Sequence, residues 1–403
     1  MDYDVIVVGA RVAGSATAML LARAGLRVLV VDRARFPSDT LSTHQVQLPG
    51  GALLRRWGIL DKLTAYGTPP ARSVTFDAGS AVLRGEYSPF DGVDAVYSPR
   101  RTLLDTLLLD AAREAGAEIE EGFAVEEVSA PDARIRGRAK GSSTGRTITA
   151  GLVIGADGKH STVAKAVGAR RYRVRTPRSA ACYAYFEGLP VKGGEVYVRP
   201  DRMIGLWPTD EGRTILYAGM PRSHFDRFRR DLPGTVAGVA DLGDRLAAAT
   251  MVEHIRATTD LPAVMRRPCG RGWALAGDAG LVMDPITGQG IANALRDADA
   301  LAAAVLAGTA RAFRDFHRER DRARRPIYDL TARFASFRPD PANEILFPAL
   351  AADPHQTARF LGVLTGTVPL PEFFGPANLR GLVGMRGMLR MMAARAGMTR
   401  SRT

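Results

Sequence analysis

With 403 residues, 46% of them hydrophobic and 24% charged, the chain has the composition of a globular protein able to bury a sizeable core in two or three domains. Its net charge of +13 raises nucleic acid or an anionic membrane as partners, but 50 of the 55 basic residues are arginines scattered along the chain without a nucleic-acid-binding motif, so nucleic acid is not expected. Only Cys182 and Cys269 occur, which excludes a disulfide framework and a cysteine-rich zinc site, and no metal is expected.

The first residues are acidic, and the apolar run behind them is too short for a signal sequence or a membrane span. The expectation is a cytoplasmic protein without a transmembrane segment. Residues 4–33 read as strand, glycine turn, helix, strand and acid. The apolar run 5–8 is too short for a helix, Gly9 and Gly14 bound a turn, and Ser15, Ala16 and Ala18 open a helix that Gly25 closes. Residues 26–31 then make the second strand of a parallel pair, with Asp32 at its end, 18 residues beyond Gly14. There a carboxylate can hydrogen-bond the ribose of an adenine dinucleotide whose pyrophosphate rests on the helix N-terminus. One position departs from G-x-G-x-x-G: where the middle glycine lets the backbone approach the pyrophosphate, this chain has Arg11. On these residues alone an ordinary βαβ unit stays open beside a dinucleotide site.

A long polar loop follows Asp32, leaving the carboxyl end of a strand, the side on which open α/β sheets bind ligands. His44 lies in it, a candidate for chemistry or for a structural hydrogen bond. A helix is expected over 51–57 and strands over 74–97. After Arg101, the spacing of Leu104, Leu107, Leu108, Ala111 and Ala115 predicts a helix that Gly116 stops. Residues 117–128 and 147–154 supply strands, with a polar hairpin-like excursion between them, and Asp157 sits in a glycine turn before a helix from Ser161. Alternation over 172–220 predicts an antiparallel sheet, and 222–230 and 246–255 look helical. The strand 272–275 returns to the first sheet, so the first domain is discontinuous. Beyond it, glycines and Pro285 mark a turn-rich loop, and Ile291, Ala294, Leu295, Ala298 and Leu301 one face of the next helix, whose N-terminus is another anion site. Residues 331–403 carry helical pattern broken by prolines; 379–395 mixes Met, Leu and Arg, as a packing helix or a membrane-surface helix would.

Four stretches in this order, Val8 to Gly14 with Asp32, Arg101-x-x-Leu104, Gly155-Ala-Asp157-Gly158, and Gly277-Asp278 with Asp284-Pro285-Ile-Thr-Gly-Gln-Gly290, resemble the group A flavoprotein monooxygenases of the para-hydroxybenzoate hydroxylase type, with kinship to geranylgeranyl reductases and flavin-dependent halogenases. The resemblance implies an α/β fold: a Rossmann-like FAD-binding domain of the glutathione-reductase type, an inserted antiparallel β-sheet substrate domain and a helical C-terminal region. The expected boundaries are 1–72, 98–171 and 265–330 for the FAD-binding domain, 73–97 and 172–264 for the substrate domain, and 331–403 for the helical region.

By the same resemblance, Gly9, Gly14 and Asp32 hold the ADP half of FAD, with Arg33 beside the adenosine and Val125 touching adenine through its backbone. Arg101 reaches the pyrophosphate or ribityl region, Asp157 lies near the pyrophosphate and affects nicotinamide use, and Asp278 binds the ribityl chain. Pro285 lines the substrate side of the flavin, and Gly288, Gln289, Gly290 and Ile291 present N–H groups to its pyrimidine edge. The loop holding His44 and Gln45 borders the flavin. Arg11 is tolerated if its backbone accepts the turn and its side chain adds charge over the phosphates. Gly280 stands where many hydroxylases carry an alanine before a histidine, which moves the chain away from simple phenol hydroxylases.

The expected reaction uses NAD(P)H as transient reductant and O2, through a flavin C4a-hydroperoxide, to hydroxylate or epoxidise an electron-rich small molecule of aromatic or polyketide-like kind, as in secondary metabolism. A separate flavin reductase is a conceivable partner. Tyr183, Tyr185, Met203 and Trp207 are expected to line the substrate pocket, with plain sheet packing as their alternative. The competing functions are an isoprenoid double-bond reductase and a non-catalytic dinucleotide-binding protein. Halogenation is less expected, because no Trp-x-Trp-x-Ile-Pro occurs.

Overall fold

The computed structural model describes residues 1–236, 239 and 242–400. At its centre a mostly parallel sheet runs in the order Cys269–Gly270, Trp273–Leu275, Arg146–Gly155, Tyr3–Val8, Val28–Asp32 and Glu118–Glu121. Strands covered on both faces must be apolar throughout, and Val5, Ile6, Val7 and Val8 are all buried. Their register, Val8 opposite both Val31 and Gly155, brings the carboxyl ends of three strands together. Helix Val12–Arg23 crosses between the first pair of strands and packs on helices Arg101–Glu114 and Gly290–Ala307. The excursion between residues 123 and 146 is the hairpin Phe123–Ser129 and Arg134–Ala139.

A second sheet runs in the order Thr250–Met251, Ser179–Glu187, Thr214–Pro221, Arg202–Pro208, Gly194–Arg199, Ser73–Asp77 and Val82–Glu86. Side chains alternate across it. Ala180, Cys182, Ala184 and Phe186 face a cluster with Phe228, Leu232 and Leu246. Ala181, Tyr183, Tyr185 and, from neighbouring strands, Met203, Trp207, Ile215 and Tyr217 face the other way, where they meet Ile286 of the loop before the long helix. That second face is what the sheet presents to the site.

The helix expected over 246–255 is not there. A short helix, Leu242–Ala247, is followed by Thr250–Met251 and Arg256–Thr258, which pair with Ser179–Glu187. The alanines at 247–249 and the four-residue spacing of Met251 and Ile255 fit a helix locally, but the edge of the strand Ser179–Glu187 offers backbone partners and pairing prevails.

Helices Asn343–Ala351, Pro354–Thr365 and Pro376–Arg400 pack over Val74, Phe76 and Leu83 at one end of the second sheet. Residues 401–403 of the expected C-terminal region lie outside the described residues. Among the described residues no helix is long and apolar enough to cross a membrane, and no group of three or more His, Cys, Asp or Glu could hold a metal ion.

Candidate functional site

Around the glycine turn, two positions admit no side chain. A Cβ on Gly9, at φ +107°, would stand 2.4 Å from Ala156 O, and one on Gly14 would stand 1.7 Å from Gly9 O. Arg11 between them has φ −88° and ψ −167°, an extended conformation open to any residue. The departure from the fingerprint therefore costs no backbone strain. Its guanidinium does not lie free over the turn, however: Nη1 donates to Asp105 Oδ2 at 2.6 Å and Nη2 to Ser38 Oγ at 2.8 Å. Arg11 ties the 38–39 loop to helix Arg101–Glu114. Asp32 braces the turn, accepting from Ala10 N at 2.7 Å and Ala34 N at 2.8 Å. No side chain caps helix Val12–Arg23, so its first-turn N–H groups are left for an outside acceptor.

Arg101 is buried and forks onto Asp105, with Nε 3.1 Å and Nη2 2.8 Å from Oδ1. Asp278 is accessible to solvent yet closely walled by protein. Desolvation pushes its carboxyl up to about 6, against the pull of Arg101, Lys159 and Arg266. The backbone before it is pinned by Gly277 N donating to Asp297 Oδ2 at 3.1 Å. Asp157 spends its carboxylate on local structure: it accepts from Ser161 Oγ at 2.5 Å and from Thr162 N at 2.6 Å, holding the start of helix Thr162–Ala166. Val125 is half-buried beside a register shift in its hairpin, and Arg33 is exposed.

The loop before helix Gly290–Ala307 is set by Asp284, which accepts from Ile286 N at 3.0 Å and from the Ser179 hydroxyl. Burial pushes the Asp284 carboxyl up to about 6. Pro285 opens the turn Pro285–Thr287 and is half-buried. Gly288 at φ +62° closes it, and a Cβ there would stand 2.0 Å from Gln45 Oε1 and 3.1 Å from Gln47 Nε2. Gln289 Nε2 donates to Leu364 O at 2.8 Å. No side chain caps the 18-residue helix that follows, and a Cβ on Gly290 would meet nothing within 4 Å. The N–H groups at Gly290 and Ile291, at the positive end of a helix dipole, thus receive no side-chain cap.

Asn293 was not foreseen. It is buried one turn into this helix, and neither its Oδ1 nor its Nδ2 has a partner among the described residues. Its signal was available: Asn293 stands between Ile291, Ala292, Ala294 and Leu295, four residues before Asp297 and so on the same side of the helix.

His44 is fully buried at φ +63°. Its Nδ1 lies 2.9 Å from Ser42 O, which requires Nδ1 to carry the proton, so Nε2 accepts from the Tyr185 hydroxyl at 2.7 Å. Burial, with Arg101 and Arg100 nearby, drives its pKa down to about 3, against weaker opposing pulls from Ser42 and Asp39. Both ring nitrogens are engaged and the ring is neutral. Tyr183 meets His44 edge-on at 5.2 Å, and its hydroxyl has no partner among the described residues.

Trp207 and Met203, with Gln45, Gln47, Ile286 and Thr287, line a cavity between the second sheet and the Pro285–Thr287 loop. Tyr183 and Tyr185 belong to the same apolar cluster without lining that cavity. Phe76, Leu361 and Phe334 belong to its apolar wall, and among the described residues no charged one lines it. The residues suit a flavin dinucleotide: two uncapped helix N-termini, a glycine turn that admits no side chain, and in Asn293 a buried amide wanting partners.

Comparison with known proteins agrees with this geometry. The FAD binding domain family matches residues 2–334. Among curated relatives, the 1H-pyrrole-2-carbonyl-[peptidyl-carrier protein] chlorinase of Pseudomonas fluorescens is 24% identical over 336 residues, covering 74% of each chain. The digeranylgeranylglycerophospholipid reductase of Methanosarcina mazei is 25% identical over 312 residues, again 74% of each. Of two further relatives the chain spans a smaller part, 60% and 49% of their lengths. A solved flavoprotein/dehydrogenase from Cytophaga hutchinsonii superposes with a TM-score of 0.82 at 20% identity, covering 98% of this chain and 99% of that one. PqsL of Pseudomonas aeruginosa, described as "a probable FAD-dependent monooxygenase", does so with a TM-score of 0.69 at 22% identity over 90% of this chain and 99% of its own. The relatives thus include a chlorinase, although the missing tryptophan motif had ranked halogenation low. The chain belongs to the FAD binding domain family, within the superfamily of FAD-dependent monooxygenases and halogenases, whose members are oxidoreductases with FAD as cofactor.

Proposed function

We propose that the chain is an FAD-dependent monooxygenase of the para-hydroxybenzoate hydroxylase type, using NAD(P)H and O2 to hydroxylate or epoxidise an electron-rich small molecule. The observation that supports this reading is the position of the cavity: it is apolar, its described lining has no charged side chain, and Gln45 and Gln47 in its wall lie against Gly288, in the turn that leads into the uncapped helix Gly290–Ala307. When bound, FAD supplies the redox chemistry that activates dioxygen. The chain supplies placement. Gly9, Gly14 and Asp32 shape the turn for the dinucleotide, and the Gly290 N-terminus favours negative charge on the cofactor's pyrimidine edge, by about 0.3–1 kcal/mol if exposed and about 2 kcal/mol if partly buried. Asn293 offers a donor and an acceptor nearby. The cavity holds substrate out of water, which protects a reactive oxygen species from loss. Oxygen transfer to an electron-rich ring asks little acid–base help, and His44, neutral with both nitrogens engaged, fits a positioning part.

The relative that reduces isoprenoid lipids supports a second reading, reduction of an apolar double bond, and the apolar cavity suits it. Oxygen uptake separates the two. A purified yellow protein that consumes O2 with NADH or NADPH faster when an electron-rich aromatic is added supports the monooxygenase. Substrate reduction under argon, with no substrate-stimulated O2 uptake in air, replaces it with the reductase. If uptake requires an added flavin reductase, the electron donor is a partner protein rather than NAD(P)H bound here.

A further inference from the structure

Two polar atoms at this cavity lack partners among the described residues in a way that an apolar wall does not explain. Trp207 is 4% exposed and its Nε1–H has no acceptor; Gln47 is 5% exposed and its Oε1 has no donor. The indole lies flat over two glycines: a Cβ on Gly205 would stand 2.1 Å from Trp207 Cη2, and one on Gly194 would stand 2.6 Å from Trp207 Nε1 and 3.6 Å from Tyr87 Oη. The two donors, Trp207 Nε1–H and Tyr87 O–H, therefore gather over one backbone point, and both residues line the cavity. Gln47 holds its place by donating from Nε2 to Gln45 Oε1 at 3.2 Å beside Gly288, which leaves Oε1 as the unused acceptor.

Buried polar groups left unpaired are costly, so a site that keeps them is matched by a ligand that pairs them. A cavity without a charged side chain cannot compensate a carboxylate or an ammonium for its lost water. We infer that this cavity takes an uncharged, largely apolar ring compound that presents a carbonyl-type oxygen to Trp207 Nε1 and Tyr87 Oη, and an O–H or N–H to Gln47 Oε1. The inference rests on the cavity being the substrate site of the proposed monooxygenase. It also gives the substrate a direction: the hydroxyl or amino substituent, the group that makes a ring electron-rich, lies at the Gln47 side, next to the Gly288 turn.

The test is equilibrium dialysis of the flavin-loaded protein with three naphthalenes of one skeleton: a hydroxyacetylnaphthalene, the matching hydroxynaphthoate and the matching methylnaphthol. The ketone is expected to bind about tenfold or more tighter than the carboxylate. Trp207→Phe, which keeps a flat ring and deletes the N–H, is expected to weaken the ketone about fivefold while leaving the methylnaphthol unchanged. Gln47→Leu is expected to weaken the ketone and the methylnaphthol alike, since both carry the hydroxyl. Flavin absorbance reports that each variant is folded. Tighter or equal binding of the carboxylate, no binding of the ketone, or equal losses for ketone and methylnaphthol in Trp207→Phe overturn the inference. Because no turnover is involved, a protein that binds as expected but consumes no O2 would sink the proposed reaction alone.

Discussion

The Arg11 guanidinium lies 2.6 Å from the Asp105 carboxylate, and Arg101 grips the same fully buried carboxylate from one helical turn away. One acid thus holds two cations, one at the glycine turn and one at the helix expected to reach the pyrophosphate. Arg11→Gly is expected to retain flavin, because the turn already has the backbone a glycine would adopt. Asp105→Asn leaves two guanidiniums without their counter-charge, and a loss of about 3 kcal/mol is expected. Thermal melting with flavin-to-protein absorbance ratios checks both; an Arg11→Gly protein that is colourless would mean that the side chain, not the backbone, makes the cofactor site.

Gly14→Val cannot be accommodated while Gly9 O stands 1.7 Å from the first added carbon, so helix Val12–Arg23 must move off the strand. Insoluble or flavin-free protein is expected. Asp32→Ala unties Ala10 N and Ala34 N, and should fold but bind FAD about tenfold or more weakly. Fluorescence of flavin released on dilution measures the difference.

His44 links stability to pH. Its native pKa of about 3 lies below the ordinary 6.5, so between those values the unfolded chain binds a proton that the native state refuses. Stability is full above 6.5 and falls as pH drops toward 3, at about 1.4 kcal/mol per pH unit from this residue. Denaturant unfolding of wild type and His44→Gln at about pH 6.5 and pH 5 should differ in their pH loss by about 2 kcal/mol. Equal losses would mean that His44 is protonated in the native protein.

Asn293 is expected to trade stability against cofactor. Asn293→Leu removes two unpaired buried polar atoms, so the flavin-free protein should gain about 1 kcal/mol, while FAD affinity falls about tenfold. Unchanged FAD affinity would show that the amide faces away from the cofactor.

What could be read from the residues follows physical locality. The strands at 5–8 and 26–31 announce themselves as unbroken apolar runs because both faces are buried, and Tyr183, Tyr185 and Trp207 share a sheet face because strands alternate. The helix over 246–255 failed where an edge strand competed for the same backbone. Side-chain partners far apart in sequence stayed hidden: nothing in the glycine turn foretells that Arg11 finds Asp105, 94 residues on. For the same reason the Tyr185 hydroxyl that occupies His44, from 141 residues away, stayed hidden, whereas the Asp157 carboxylate turns to Ser161 and Thr162, only four and five residues on.

In the proposed reaction one oxygen atom of O2 ends in the product. Incubating the FAD-loaded protein and NAD(P)H with a hydroxyacetylnaphthalene under isotopically heavy oxygen gas, followed by mass spectrometry, reads this directly. The expected product is heavier than its substrate by one heavy oxygen atom, with no label from heavy water. A product that gains two hydrogens and no heavy oxygen, or a halogen when halide is supplied, would rule monooxygenation out.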